Sequence, residues 1–179
     1  MINLAKNIDN KYITHNESIN EHLMLFEKND SGNKKDKPYT GYLKKSGTDQ
    51  DFLIITDLED LSRKLSYSKN TPSDCDYIFI NLKKKEIYFI EFKASNQFSL
   101  NKVKKQLLSG RKWLDHFCFC SDIDESILQS FRTYNIWWEH DGRACRSIAP
   151  FYSEEENIIK VKGSILVVSK IRHYMKTFE

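Results

Sequence analysis

Several things this 179-residue sequence lacks narrow its class. No stretch approaches the roughly eighteen consecutive apolar residues that a membrane-spanning helix takes. The opening residues, MINLAKNIDNKYITHNE, lack the apolar core of a secretory signal, so the expectation is a cytoplasmic protein with no membrane partner. Cysteine is sparse, and Cys75, Cys118, Cys120 and Cys145 are expected to be reduced there. Paired CxxC knuckles are missing, so HFCFC with His116, His140 and Cys145 is a poor zinc site, and the cysteines read as buried thiols. An excess of one charge is missing too. Lys and Arg number 28 against 25 Asp and Glu, and a formal charge of +3 does not by itself announce a nucleic-acid binder. No repeat and no clean boundary divides the chain. With 40% hydrophobic residues it suits one domain over residues 1–179, large enough to bury a core.

The distribution of charge says more than its sum. Lysines bunch at Lys34, Lys35 and Lys37, at Lys44 and Lys45, at Lys83 to Lys85, and at Lys102, Lys104 and Lys105, with Arg111 and Lys112 just beyond. Taken singly, each bunch is an ordinary solvated surface.

Along the chain, ITHNESINEHLMLFEK (13–28) predicts an opening helix. Thr14 and Glu17 would form its capping box, and Ile19, Leu23 and Phe26 recur at helical spacing. The polar segment 29–41 predicts a loop. DFLIITDLEDLSRKLSYS joins a short apolar run to a helical tail. SLNKVKKQLLSGRKWLDHF (99–117) predicts the best helix in the chain, capped by Ser99, with Val103, Leu107, Leu114 and Phe117 as its inner stripe. RTYNIWWEH and IIKVKGSILVVSKI read as further strands.

Between these lies CDYIFINLKKKEIYFIEFKAS (75–95), two β-rich runs around a lysine turn. If Lys83 to Glu86 make the connection, Leu82 faces Ile87, Asp76 lies opposite Lys93 and Ile78 opposite Glu91. Side chains alternate along a strand, so Asp76, Glu91 and Lys93 share one face at one end of the hairpin. Two carboxylates and an ammonium there are costly to bury without a partner. A plain cross-strand salt bridge between Asp76 and Lys93 would satisfy two of them. The same three groups are also the types that hold a hard divalent cation and a water beside it.

Asp76, fourteen intervening residues and then EFK (Glu91, Phe92, Lys93) resemble the active-site signature of the PD-(D/E)xK nuclease superfamily. KKQLLSG (104–110) is similar to the glutamine-bearing helix that many members place after that strand. The resemblance covers about residues 74–115. The Pro-Asp pair itself is absent, since the sequence reads PSDCDY and both Asp74 and Asp76 face the same way, so either could be the ligand. Asp76 is preferred because it enters the apolar strand directly. The four-cysteine iron–sulfur cluster of some such nucleases is not expected, because Cys75 abuts the proposed aspartate and no clustered C-terminal triplet exists.

The resemblance implies an α/β, restriction-endonuclease-like core with a central mixed sheet flanked by helices, and Mg²⁺- or Mn²⁺-dependent hydrolysis of phosphodiester bonds. Asp76 and Glu91 with the Phe92 carbonyl would hold the metal, and Lys93 would orient water and stabilise negative charge. Gln106 would reach back toward the metal. A glutamate on the first helix would be Glu21, Glu17 being occupied by the capping box. The expected partner is nucleic acid, most simply DNA, in repair, mobile-element or anti-phage settings, with the chain acting as a homodimer or as a subunit of a larger complex. A non-catalytic, nucleic-acid-binding descendant of the same fold is the alternative. Trp137 and Trp138 could stack on bases, although at least one is expected in the core.

Overall fold

The structure is a computed structural model that describes residues 12–16, 22–27, 39–44, 52–65, 74–93, 99–121, 123–139, 151–153 and 157–176. In chain order the elements are β1 (Ile13–Asn16), β2 (His22–Glu27), β3 (Tyr39–Lys44), β4 (Phe52–Thr56), α1 (Leu58–Leu65), β5 (Tyr77–Asn81) and β6 (Glu86–Lys93). They continue with α2 (Leu100–Cys120), α3 (Glu125–Gln129), β7 (Arg132–Glu139), β8 (Phe151–Ser153), β9 (Ile158–Lys162), β10 (Ile165–Val167) and α4 (Val168–Lys176).

Seven strands form one mixed sheet in the order β1-β4-β5-β6-β7-β9-β8, and β10-β3-β2 make a second, smaller sheet. The β5–β6 hairpin is antiparallel, whereas β6, β7 and β9 run parallel. A parallel step needs a crossover, and between β6 and β7 the helices α2 and α3 supply it. The middle strands are buried on both faces, which is why YIFIN and EIYFI read as unbroken apolar runs.

On one face, Ile78, Ile80, Ile87 and Phe89 pack against Val103, Leu107, Leu114 and Phe117 of α2. On the other, Phe79, Tyr88, Ile90 and Phe92 pack with Leu43, Leu166, Val168 and Ile171 from the small sheet and α4. Helix α2 starts where its sequence says it should, with the Ser99 side chain accepting from the Lys102 N–H at 3.3 Å. Its buried stripe recurs every three or four residues along the helix.

Three expectations are corrected. Within 13–28 the described residues form β1 and β2 rather than a helix. Thr14 pairs with Ile54 of β4, and Leu23 with Leu43 of β3. The run Leu23 to Phe26 matches a helical template and a short strand equally, and only long-range pairing decides between them. The expected loop at 29–41 gives way to β3 from Tyr39 onward. The last expected strand turns into α4 at Val168, whose Val168 and Ile171 are the residues buried against the sheet. No helix among the described residues is long and apolar enough to cross a membrane.

Candidate active site

The hairpin turn comprises Leu82 to Lys85. Asn81 Oδ1 accepts from the Lys84 N–H at 3.0 Å, and Lys85 takes a left-handed φ of 53°. The ladder therefore pairs Ile80 with Ile87 and Tyr77 with Ile90, two positions away from the expected register. A shift of two leaves every side chain on its own face. It brings Asp76, one residue before β5, level with Glu91 instead of Lys93.

At this end of the hairpin β5 has stopped and β6 continues. The Phe92 N–H donates to Asp76 Oδ2 at 2.7 Å, so the carboxylate stands where a ladder carbonyl would. In an antiparallel strand the N–H and C=O of one residue point the same way, so the Phe92 carbonyl points to the same edge of β6 as the N–H that Asp76 accepts from. Glu91 is fully buried and forms an ion pair with Lys93, which is 6% exposed. Two residues apart on one strand, they lie on the face that α2 covers.

Helix α2 holds the segment before β5. The Ser109 hydroxyl donates to Asp74 Oδ1, and Gln106 Nε2 donates to the Asp74 carbonyl at 3.4 Å. Gly110, one residue on, lies against Cys75, and any Cβ there would collide with the Cys75 sulfur. Burial, then the charges of Glu91, Asp76 and Asp74, push the Cys75 thiol well above its ordinary value of 9.0. Three carboxylates therefore act electrostatically on one buried point.

The parallel register extends the site across the sheet. Glu91 lies level with Trp137 of β7, which lies level with Lys160 of β9; Lys93, Glu139 and Lys162 form the next row. Glu139 is 2% exposed and meets Lys160 Nζ at 2.7 Å and Lys162 Nζ at 3.3 Å. Lys160 Nζ also sits 3.8 Å from the centre of the Trp137 ring. Ser109, Glu139, Lys160 and Lys162 are not among the residues expected at the site from the sequence. A signal existed for one of them, since Glu139 ends the apolar run of β7 much as Lys93 ends that of β6.

The structure thus brings together Asp74, Asp76, Glu91, Phe92, Lys93 and Gln106. Glu17 and Glu21 lie outside the described residues, as do Lys34, Lys35, Lys37, Lys45, His140 and Cys145. Lys83 to Lys85 are at the far end of the hairpin. Cys75 and Cys118 are buried thiols, but Cys120 is exposed, 3.5 Å from His116 Nε2. Trp138 is a core residue whose indole N–H donates to the Gly163 carbonyl at 2.7 Å, and Trp137 is buried as well, so neither offers an open ring to a base.

Among the described residues, no three His, Cys, Asp or Glu side chains are arranged to hold a metal ion by themselves. Magnesium asks for less, usually one or two protein carboxylates with water and phosphate oxygens completing its octahedron. The donor set fits that demand. Asp74 Oδ2 and Gln106 Oε1 are buried acceptors with no hydrogen-bond donor among the described residues. They stand in the region of Asp76 and Glu91, and all four side chains offer oxygen, the donor type a hard divalent cation takes. Compared with family models, curated proteins and solved structures, the chain finds no match in any of the three.

Proposed function

We propose that this protein is a metal-dependent nuclease that hydrolyses phosphodiester bonds, most simply in DNA, with its active site at the open end of the β5–β6 hairpin. The observation that carries this reading is the buried Glu91–Lys93 pair beside Asp76, which already binds the Phe92 backbone. A structural ion pair needs two groups. Here a second carboxylate and a backbone carbonyl lie at the same end of the hairpin.

Asp76 and Glu91, with the Phe92 carbonyl, are the residues that would hold Mg²⁺ or Mn²⁺. Such an ion, when bound, polarises the scissile phosphate and lowers the pKa of a coordinated water. The chain's own contribution is positional and electrostatic. Lys93, held by Glu91, donates hydrogen bonds to the attacking water or to a phosphate oxygen as negative charge develops. Gln106 and Ser109 keep Asp74 and the approach to β5 in place. Exposed Lys102, Lys105, Arg111 and Lys112 on α2 supply positive charge for a phosphate backbone. The order hairpin, α2, then a strand parallel to β6 supports a restriction-endonuclease-like core as part of the proposal. Residues 13–16 and 22–27 are strands and Glu17 and Glu21 lie outside the described residues, so no glutamate of that segment is given a role in the mechanism.

Supercoiled plasmid, linear duplex, single-stranded DNA and RNA, each with Mg²⁺, Mn²⁺ or EDTA, test the reading. The parent should cut at least one substrate, and only with metal. Glu91→Gln and Lys93→Ala should each lose on the order of a hundredfold or more in kcat, while Lys93→Ala still binds the substrate. A Lys93→Ala protein that cuts as fast as the parent sinks the mechanism.

A further inference from the structure

At the end of the sheet that carries the candidate site, the buried polar atoms left over are of opposite kinds on its two sides. Near β5 and β6 they accept: Asp74 Oδ2 and Gln106 Oε1 lack a donor among the described residues. On β7 the Glu139 oxygens are taken up by Lys160 and Lys162, and the atom left over at this end is a donor. Trp137 is 7% exposed, and its indole N–H has no acceptor among the described residues. A buried donor without an acceptor is uncommon in a folded protein and points to a ligand that supplies one.

The groups around that indole are cationic. Lys160 lies over the ring and on Glu139, and Lys162 meets the other oxygen of the same carboxylate. Two ammonium groups against one carboxylate leave net positive charge. The lysine side chains stay 27% and 40% exposed, while Glu139 is almost wholly covered. An ammonium has three donors, so a contact to Glu139 does not exhaust it. A lysine whose ammonium is held by both a ring and a carboxylate has already given up rotamer freedom that a loose one would lose on binding an anion.

We infer that Trp137, Lys160 and Lys162 form an anion subsite that takes a backbone phosphate of the nucleic-acid strand beside the scissile one. This inference rests on the nuclease reading and adds a direction to it. Lys160 is two strands from Glu91, about 10 Å at the usual strand spacing. The substrate strand therefore runs across the sheet end, from the carboxylates over β6 toward β9. Glu139 is a positioning residue, acting through the two lysines.

The test measures binding of end-labelled DNA and RNA oligonucleotides in EDTA across a salt series, and cleavage separately in Mg²⁺. Lys160→Ala should weaken binding about tenfold and lower the slope of log K against log salt by about one, with kcat within about threefold of the parent. Trp137→Phe keeps a ring beneath Lys160 and removes only a neutral donor. It should weaken binding severalfold with the salt slope unchanged. Lys83→Ala deletes the same charge at the far end of the hairpin and should change neither quantity. A Lys160→Ala protein with the parent's affinity and slope overturns the subsite, as does one that loses melting temperature and kcat without a change in slope. A parent that binds but never cuts removes the nuclease reading while the subsite still stands or falls on the binding data. A parent that binds neither nucleic acid overturns both.

Discussion

Gly110 shows at single-residue scale how the site is held. Alanine in a helix is worth about 1 kcal/mol over glycine, so Gly110→Ala would ordinarily stabilise α2. Here the added Cβ meets the Cys75 sulfur and presses on Phe89, and overpacking of that kind costs roughly 1–3 kcal/mol. The collision wins. Gly110→Ala should lower stability by about 1 kcal/mol and reduce cleavage by more than that loss accounts for, because Cys75 lies between Asp74 and Asp76. Denaturant midpoints and single-turnover rates on the same protein check both halves. Lys93 shows the opposite economy: burial makes its pairing with Glu91 obligatory, and the same burial strengthens any charge it presents to a substrate.

At the scale of elements, α4 is tied to the sheet by charge as well as by packing. Arg172 Nε reaches both Glu86 oxygens at 2.8 Å, and the Tyr88 hydroxyl donates to Glu86 Oε2 at 2.7 Å. Glu86 is buried at the start of β6, so this tie lies at the opposite end of the strand from the candidate site. Arg172→Ala would leave a buried carboxylate short of its cation, which costs about 3–5 kcal/mol. The double variant Glu86→Gln/Arg172→Met should regain a large part of that. Chemical denaturation of the two proteins tests the point, and similar losses in both would contradict it. The same residue explains the hairpin register. Held by Arg172, Glu86 belongs to the strand rather than to the turn, and the ladder moves by two from where the turn composition alone would put it.

Across the whole molecule, burying the central sheet on both faces places phenols as well as apolar groups inside. Burial raises Tyr88 well above its ordinary value of 10.0, with Glu86 adding to the shift and Arg172 opposing it; Tyr134, stacked on Tyr88 at 4.8 Å, is raised as well. A phenol whose folded pKa is raised holds its proton in the native state after the unfolded chain has lost it. Its contribution is full below about pH 10 and is lost as pH rises from there toward the folded value. Urea midpoints should therefore fall above about pH 10. Tyr88→Phe should start lower by about 1–2 kcal/mol, through its lost hydrogen bond to Glu86, and fall less steeply. An alkaline fall as steep in Tyr88→Phe as in the parent would contradict this.

Much of the fold was legible wherever a local rule governs the chain. Ser99 and its apolar stripe define α2, the YIFIN and EIYFI runs define a hairpin, and strand alternation puts Glu91 and Lys93 on one face whatever the register. That parity is why a ladder misplaced by two residues still brought Asp76 to Glu91. Other features depend on partners distant in the chain. Residues 13–16 and 22–27 are strands because β4 and β3 lie beside them, and Val168 opens a helix because the second face of the sheet needs covering. Glu139, Lys160 and Lys162 join the site only through the parallel stacking of β6, β7 and β9. Sequence by itself determined the elements that caps, alternation and apolar period specify, since those forces act over a few residues. Tertiary structure decided which strands became neighbours and which charges met, because hydrogen-bond ladders and buried ion pairs join residues that the sequence keeps far apart.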